Sequence, residues 1–383
     1  MIRTAARLCL CLVLSASAAE AADTEIKAAF GQTFQASDNR RLAVNSPGDS
    51  YSSISTLLVN AVARTARSTF EVIGNLAYRA YAGSGEQMTP DALDRGILGI
   101  ATYRERDSKY FISASYRQRD ASTVQIEEDG FATINGFVNT TSVTGGIERQ
   151  LNATDSVSLT ATGTITDFTT PTGTASNNVS ARATWSRKVN RRLDWVGAIE
   201  YQRLSYDNAT DTLTQIARAT TGITARLSPR LAVFANVGVN WINTENEFSA
   251  PTTFDPGSSV GLLADLLVTY NLMRDTVAVL SASHSIGPNS LGELQERTSA
   301  GLSIRHEIND LSYWVIGGQF SRLDKPTDGV TNLMVASATY GRRLTQDWRT
   351  ELSYVFRHRQ SGVGDADSNT VTFRLSKDLV LLP

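Results

Sequence analysis

The side chains that could carry out acid–base or nucleophilic chemistry are few in this sequence. Its three histidines are His284, His306 and His358, and they lie far apart along the chain. Ser283 and His284 are adjacent in a segment with the pattern of a β-strand, where neighbouring side chains point to opposite faces. A nucleophile–base pair needs both groups on one side. We therefore predict no catalytic site in this part of the chain.

Cysteine chemistry is also absent from most of the chain. Cys9 and Cys11 are the only cysteines, so no thiol remains beyond them for a disulfide, a zinc site or a nucleophile. The adjacent acids Glu127 and Glu128 are best explained as solvated loop residues. The 36 basic and 38 acidic residues nearly balance, which gives no support to nucleic-acid binding. We expect no cofactor, no metal site and no nucleic-acid partner.

The first 21 residues have the pattern of a secretory signal peptide. Arg3 and Arg7 form its positive start, an apolar core follows over residues 8–14, and Ala19-Glu20-Ala21 offers a small-residue cleavage site. Beyond this segment no apolar run approaches the roughly 20 residues that a membrane helix needs. An exported chain of this kind is either a periplasmic domain or a β-barrel of the bacterial outer membrane.

Apolar residues beyond the leader alternate with polar or small residues, which is typical of β-strands. In residues 231–241 the odd positions are apolar and most even positions are small or polar. We predict an all-β fold, a transmembrane antiparallel β-barrel of about 18 strands over residues 22–383, with 16 strands as the alternative. The segments begin near residues 26, 52, 68, 95, 109, 136, 156, 179, 193, 215, 230, 260, 276, 298, 312, 332, 347 and 369.

The connections between these segments alternate strictly between short and long. Asn309-Asp310 and Thr345-Gln346-Asp347 are examples of short links, whereas residues 82–94 and 243–259 form long ones. Outer-membrane barrels have short periplasmic turns and longer extracellular loops. Both termini are therefore predicted on the periplasmic side. A barrel of 16–18 strands leaves an aqueous channel, and loops 82–94 or 243–259 could fold inward to constrict it.

Charged residues within the segments share one parity, opposite to the apolar positions. Because Arg or Lys on the lipid face costs about 2–4 kcal/mol at mid-depth, these charges are expected to face the lumen. Seven of the twelve candidates are arginines, and rings of arginine favour anion passage. The predicted pore-lining residues are Glu71, Arg79, Arg117, Glu148, Arg182, Glu200, Arg218, Asp265, Arg305, Glu351, Arg357 and Arg374.

The sequence resembles the β-barrel porin families of α-proteobacteria and related barrels found with exopolysaccharide export machinery. The resemblance rests on the early loop from Ser37-Asp38-Asn39 to Ser46-Pro47-Gly48, the hairpin Leu57–Arg79 and the turn Leu227-Ser228-Pro229-Arg230-Leu231. It implies a passive conduit for polysaccharide, delivered by periplasmic export proteins. The expected partners are outer-membrane lipid, lipopolysaccharide, polysaccharide and periplasmic export or assembly proteins.

Three other functions remain open for such a barrel. A general diffusion porin would pass small solutes with low selectivity. A structural or adhesive barrel would have a plugged lumen and no conductance. An outer-membrane lipase or protease would carry its catalytic pair at the rim of the barrel. The resemblance favours the polysaccharide conduit over these alternatives, and the arginine-rich lumen favours anionic cargo.

Overall fold

A computed structural model describes residues 23–84, 91–129, 131–132, 136–170, 173–207, 212–246, 257–288, 294–325 and 329–382. The predicted signal peptide, residues 1–21, lies outside these described residues. Among the described residues no helix is long and apolar enough to span a bilayer.

The chain folds into eighteen antiparallel strands that form one sheet, which confirms the predicted fold and the higher of the two strand counts. One short helix, α1 (Ala121–Asp129), follows the fifth strand. The strands are β1 (Asp23–Ser37), β2 (Ser50–Arg64), β3 (Ser68–Ala82), β4 (Ala92–Arg104), β5 (Ser108–Asp120), β6 (Phe137–Gln150), β7 (Asp155–Phe168), β8 (Ala175–Asn190), β9 (Leu193–Asp207), β10 (Thr212–Ser228), β11 (Leu231–Asn246), β12 (Gly257–Met273), β13 (Thr276–Pro288), β14 (Leu294–Asn309), β15 (Ser312–Lys325), β16 (Gly329–Arg343), β17 (Trp348–Ser361) and β18 (Gly364–Leu382).

The sheet closes on itself. Each strand pairs with its sequence neighbours, and β18 pairs with β1 from Leu382 opposite Ile26 to Thr370 opposite Ser37. A closed sheet has no edge strands, so its backbone N–H and C=O groups can be satisfied where no water is available.

The outer face of the barrel is apolar. Ile199, Val237 and Leu159 are 64%, 56% and 52% exposed, respectively, although all three lie within strands. An exposed apolar band around a closed barrel is the surface that lipid covers. The protein is therefore an outer-membrane β-barrel, as the alternating sequence predicts.

The short turns at one rim are built from local side-chain hydrogen bonds. In the β6–β7 turn, the Asn152 side-chain oxygen accepts hydrogen bonds from the backbone N–H groups of Thr154 (2.8 Å) and Asp155 (2.9 Å). This Asx turn reverses the chain within a few residues. The long connections lie at the opposite rim, which is the extracellular one by the usual arrangement of such barrels.

Candidate functional site: the lumen and its mouth

All twelve predicted pore-lining residues lie on the inner face of the wall. On β9, for example, Glu200 alternates with Ile199 and Tyr201, which are exposed on the outer face. On β17, Arg357 has the parity opposite to exposed Tyr354. This placement shows where the side chains point, and their part in conduction remains a prediction.

Three of these residues form a row across adjacent strands, the arginine row. Arg182 on β8 lies opposite Glu200 on β9, which in turn lies opposite Arg218 on β10. The Glu200 carboxylate forms an ion pair with each arginine, at 3.5 Å from Arg182 Nη1 and 3.4 Å from Arg218 Nη1. One carboxylate thus serves two guanidinium groups, and the row keeps a formal charge of +1.

The arginine row borders a cavity of about 510 Å³ on the inner wall, the lumen recess. Asp265 and Arg297 add one charge of each sign to its lining. Two buried polar atoms of its lining residues have no hydrogen-bond partner among the described residues: Arg218 Nε and Gln295 Oε1. Buried polar atoms without partners are costly. The recess is therefore suited to a polar or anionic solute that supplies those hydrogen bonds.

Several other predicted residues contact polar or charged side chains on the same strand or on nearby strands. Three further candidates, Arg117, Arg374 and Arg357, also lie on the inner wall, on β5, β18 and β17, and are not among the contacts that follow. The contacts are Arg79 Nε with Asp94 at 2.8 Å, Arg305 Nε with Glu307 at 2.7 Å, Tyr313 Oη donating to Glu351 at 2.6 Å, Lys109 Nζ with Glu148 at 3.8 Å and Asn60 Nδ2 donating to Glu71 at 2.9 Å.

Asp94 and Glu307, the partners of Arg79 and Arg305, reduce the positive excess that the sequence suggests for the lumen, whereas Lys109 beside Glu148 adds one positive charge. Asp94 and Glu307 face inward on β4 and β14, and both were missing from the predicted set. Parity could have identified Asp94, but the predicted fourth strand began near residue 95. Its observed start at Ala92 brings Asp94 into the wall.

At the extracellular rim, the segment between β1 and β2 folds across the mouth of the barrel. Arg40 from this segment lies 3.1 Å from Asp120 at the end of β5 and donates to Tyr81 on β3 at 3.0 Å. Asp120 also accepts hydrogen bonds from Ser122 and Thr123 at the start of α1, both at 2.7 Å. We call these five residues the mouth cluster. The Arg40 and Asp120 side chains are only 10% and 6% exposed.

The same segment also contacts the wall on the β18 side of β1. Leu42, only 1% exposed, packs with Leu333 of β16 and Ala366 of β18. Its φ of 53° is unusual for a residue other than glycine. Asn39 holds this conformation, because its Oδ1 accepts from Ala43 N–H at 3.0 Å. The segment therefore reaches from the β16–β18 side of the mouth to the β3–β5 side.

A second element enters the lumen from the wall itself. The paired ends of β13 and β14, residues 285–288 and 294–297, form what we call the hairpin tip. Ile286 of the tip packs against an inner apolar cluster of Leu204, Tyr206, Ile216 and Ile242. Ser285, Ile286, Gly287, Gln295 and Arg297 of the tip line the lumen recess.

The expectation that loops 82–94 or 243–259 constrict the lumen stays a prediction. Residues 85–90 and 247–256, the central parts of those loops, lie outside the described residues. The inward elements that are described are the β1–β2 segment, α1 and the hairpin tip. One feature of the sequence distinguishes the β1–β2 segment: it contains the pair Arg40-Arg41, whereas the other long connections are mostly acidic.

The whole barrel is similar to solved outer-membrane porins. A BenF-like porin from Pseudomonas fluorescens Pf-5 matches with a TM-score of 0.57 and 10% identity, covering 94% of this chain and 99% of the porin. The outer membrane protein opdK from Pseudomonas aeruginosa gives 0.56 and 9%, with 94% and 99% covered. OprD from the same species gives 0.53 and 8%, with 94% and 96% covered. These likenesses show the porin fold.

No protein-family model matches the chain, and no curated protein matches it. The resemblance stated from the sequence is thus supported as far as the outer-membrane barrel porin. The comparisons give no support to its α-proteobacterial origin or to a connection with exopolysaccharide export.

Proposed function

We propose that the protein is a passive outer-membrane channel for small solutes, with a preference for anions. The observation that carries the proposal is the combination of a charged inner wall with elements that fold inward at the mouth. An 18-stranded barrel is wide enough for water unless something fills it. The β1–β2 segment, α1 and the hairpin tip lie inside this barrel, which supports passage of small solutes over polymers. Diffusion through such a channel needs no chemical step.

The inward elements weigh against the polysaccharide conduit that the resemblance implies. A polymer would have to pass the mouth cluster and the hairpin tip. Both are held by buried contacts, including the pair between Arg40 and Asp120. A general diffusion porin therefore fits the structure better than an export channel for polysaccharide.

The preference for anions rests on the lumen recess. Arg182, Arg218 and Arg297 outnumber Glu200 and Asp265 in its lining. Guanidinium groups offer several N–H donors in a fixed geometry, which suits carboxylate and phosphate groups. Because the excess is one charge, we expect moderate selectivity, with cations still able to pass.

Two measurements on purified protein test this proposal. In planar bilayers with a potassium chloride gradient, the reversal potential should show that chloride permeates better than potassium. In liposome-swelling assays, monosaccharides should enter and dextrans of several kilodaltons should be excluded. Cation selectivity would contradict the preference for anions. Dextran entry would favour the polymer conduit, and absence of any conductance would favour a structural or adhesive barrel.

A further inference from the structure

The hydrogen-bond ladder of the wall has a long gap between β12 and β13. Pairing between β12 and β13 runs from Met273 opposite Thr276 only to Ala264 opposite His284. On its other side, β12 stays paired with β11 as far as Gly257. The edge of β12 over residues 257–263 that faces β13 therefore has no ladder partner among the described residues. We call this stretch the seam.

The seam exists because the end of β13 leaves the wall and lies on the lumen side of β12. If the ladder continued, Ile286 would lie opposite Leu262. Instead it lies against the inner face of the neighbouring residue, where a Cβ on Gly261 would be 2.4 Å from Ile286 Cδ1. Asn240 on β11 donates to the Ile286 carbonyl at 2.8 Å. The absence of a side chain at Gly261 is what allows this close approach.

The seam has two sides, the edge of β12 and the facing end of β13, which we call its lips. The side chains of the two lips differ in polarity. On β12, Val260 and Leu262 point outward and are 73% and 67% exposed. They lie opposite Trp241 and Val239 of β11. Tryptophan collects where the bilayer meets water. This places the apolar lip at the outer boundary of the membrane.

The other lip is polar. His284 Nδ1 lies 2.9 Å from Thr298 Oγ1 and 3.9 Å from Glu296. At the height of the lipid headgroups, water and polar groups can satisfy an open strand edge, which hydrocarbon cannot do. The seam can therefore persist at this depth.

The lumen recess lies directly behind the seam and has both polar and apolar parts. Phe234, Leu263 and Ile286 line it together with the arginines. An amphiphile with an anionic head could place that head beside Arg182 and Arg218. Its chain would then run along the apolar residues toward Leu262 and the outer leaflet.

We propose that the seam is a side portal between the lumen recess and the outer leaflet, and that it passes single-chain amphiphiles with an anionic head. This route is additional to axial diffusion of small solutes. We expect the portal to be open when the hairpin tip is in its observed position, with residues 257–263 of β12 unpaired on the β13 side. We expect it to close when β13 pairs with this stretch of β12.

Two disulfides distinguish these positions, because the chain beyond Cys11 has no cysteine. Leu262→Cys with Ile286→Cys should form a bond only in the completed ladder and so close the portal. Gly261→Cys with Ile286→Cys should fix the observed position, since the added Cβ lies 3.3 Å from Ile286 Cβ. That separation is close to the 3.5–4.5 Å usual for disulfides. The two pairs differ by one residue on β12 and have opposite predicted effects.

The probe is a dodecanoate analogue with a diazirine on its chain, photolysed with the protein in lipid nanodiscs and mapped by mass spectrometry. We expect labelling of residues 234 and 263 from the lipid side. It should fall at least tenfold in the oxidised 262–286 pair and persist in the oxidised 261–286 pair. Equal labelling of the two pairs, or labelling confined to the outer face, would overturn the portal.

A second variant does not depend on disulfide formation. Leu262→Glu places a carboxylate on the apolar lip and should reduce labelling of the recess at least tenfold. Val239→Glu, its neighbour in register and also outward-facing, should leave that labelling unchanged. Unchanged labelling in Leu262→Glu would refute the portal. Chloride conductance measured on the same variants tests axial diffusion separately, so the portal can fail while the proposed channel function holds.

Discussion

The arginine row gives the sharpest test of how the lumen selects ions. Glu200 is its single acid and contacts both Arg182 and Arg218. Glu200→Gln keeps the shape of the side chain and raises the formal charge of the row from +1 to +2. The substitution should therefore increase the preference for anions without altering the width of the lumen.

The size of the effect follows from Coulomb's law. For an ion about 7 Å away, one unit charge is worth about 0.6 kcal/mol in water. Screening over a Debye length of about 10 Å in 0.1 M salt reduces this to about 0.3 kcal/mol. Chloride gains this amount and potassium loses it, so their permeability ratio should rise about threefold.

Reversal potentials in planar bilayers measure this ratio directly. Asp367→Asn is the matched control, because Asp367 lies on the outer face of β18, is 62% exposed and pairs with His358. It changes the net charge of the protein by the same amount outside the lumen. An unchanged ratio in Glu200→Gln, or equal shifts in the two variants, would refute the role assigned to the row.

Other consequences of the structure can be measured in the same preparations. Arg40→Met removes one partner of the buried pair with Asp120, which costs about 3–5 kcal/mol. Single-channel conductance should rise and fluctuate as the mouth loosens, and an unchanged current would separate the mouth cluster from the constriction. Leu159→Arg should lower the free energy of unfolding in bilayers by about 2–4 kcal/mol, whereas Thr162→Arg, on the inner face opposite Ser180 and Thr144, should cost under about 1 kcal/mol. Similar losses in both variants would contradict the assignment of the two faces.

Strand number and face could be predicted from the sequence because both follow from one local rule. Lipid on one side and lumen on the other force a period of two, and residues such as Leu159 and Thr160 reveal it without tertiary information. The observed strands begin within a few residues of the predicted starts. The largest differences are four or five residues, at Ala175, Leu294 and Gly364, where strands extend into long connections.

The mouth and the hairpin tip could not be predicted in this way, because they depend on contacts between distant segments. Arg40 meets Asp120 across 80 positions of sequence. Ile286 leaves the wall although its own strand has a regular alternating pattern. What allows it to do so is a glycine on another strand, Gly261, whose role is apparent only when the two strands are placed together.

The segment that carries Arg40 and Leu42 has a mechanical consequence for the cylinder. A hydrogen-bonded hoop resists stretching, but it can flatten into an ellipse when the surrounding bilayer presses on it. A brace anchored at β16 and β18 on one side and at β3 and β5 on the other fixes the length of one chord of the rim. The cross-section of the entrance should therefore keep its shape under lateral pressure, while the periplasmic end, where the described residues form no such brace, should deform more readily.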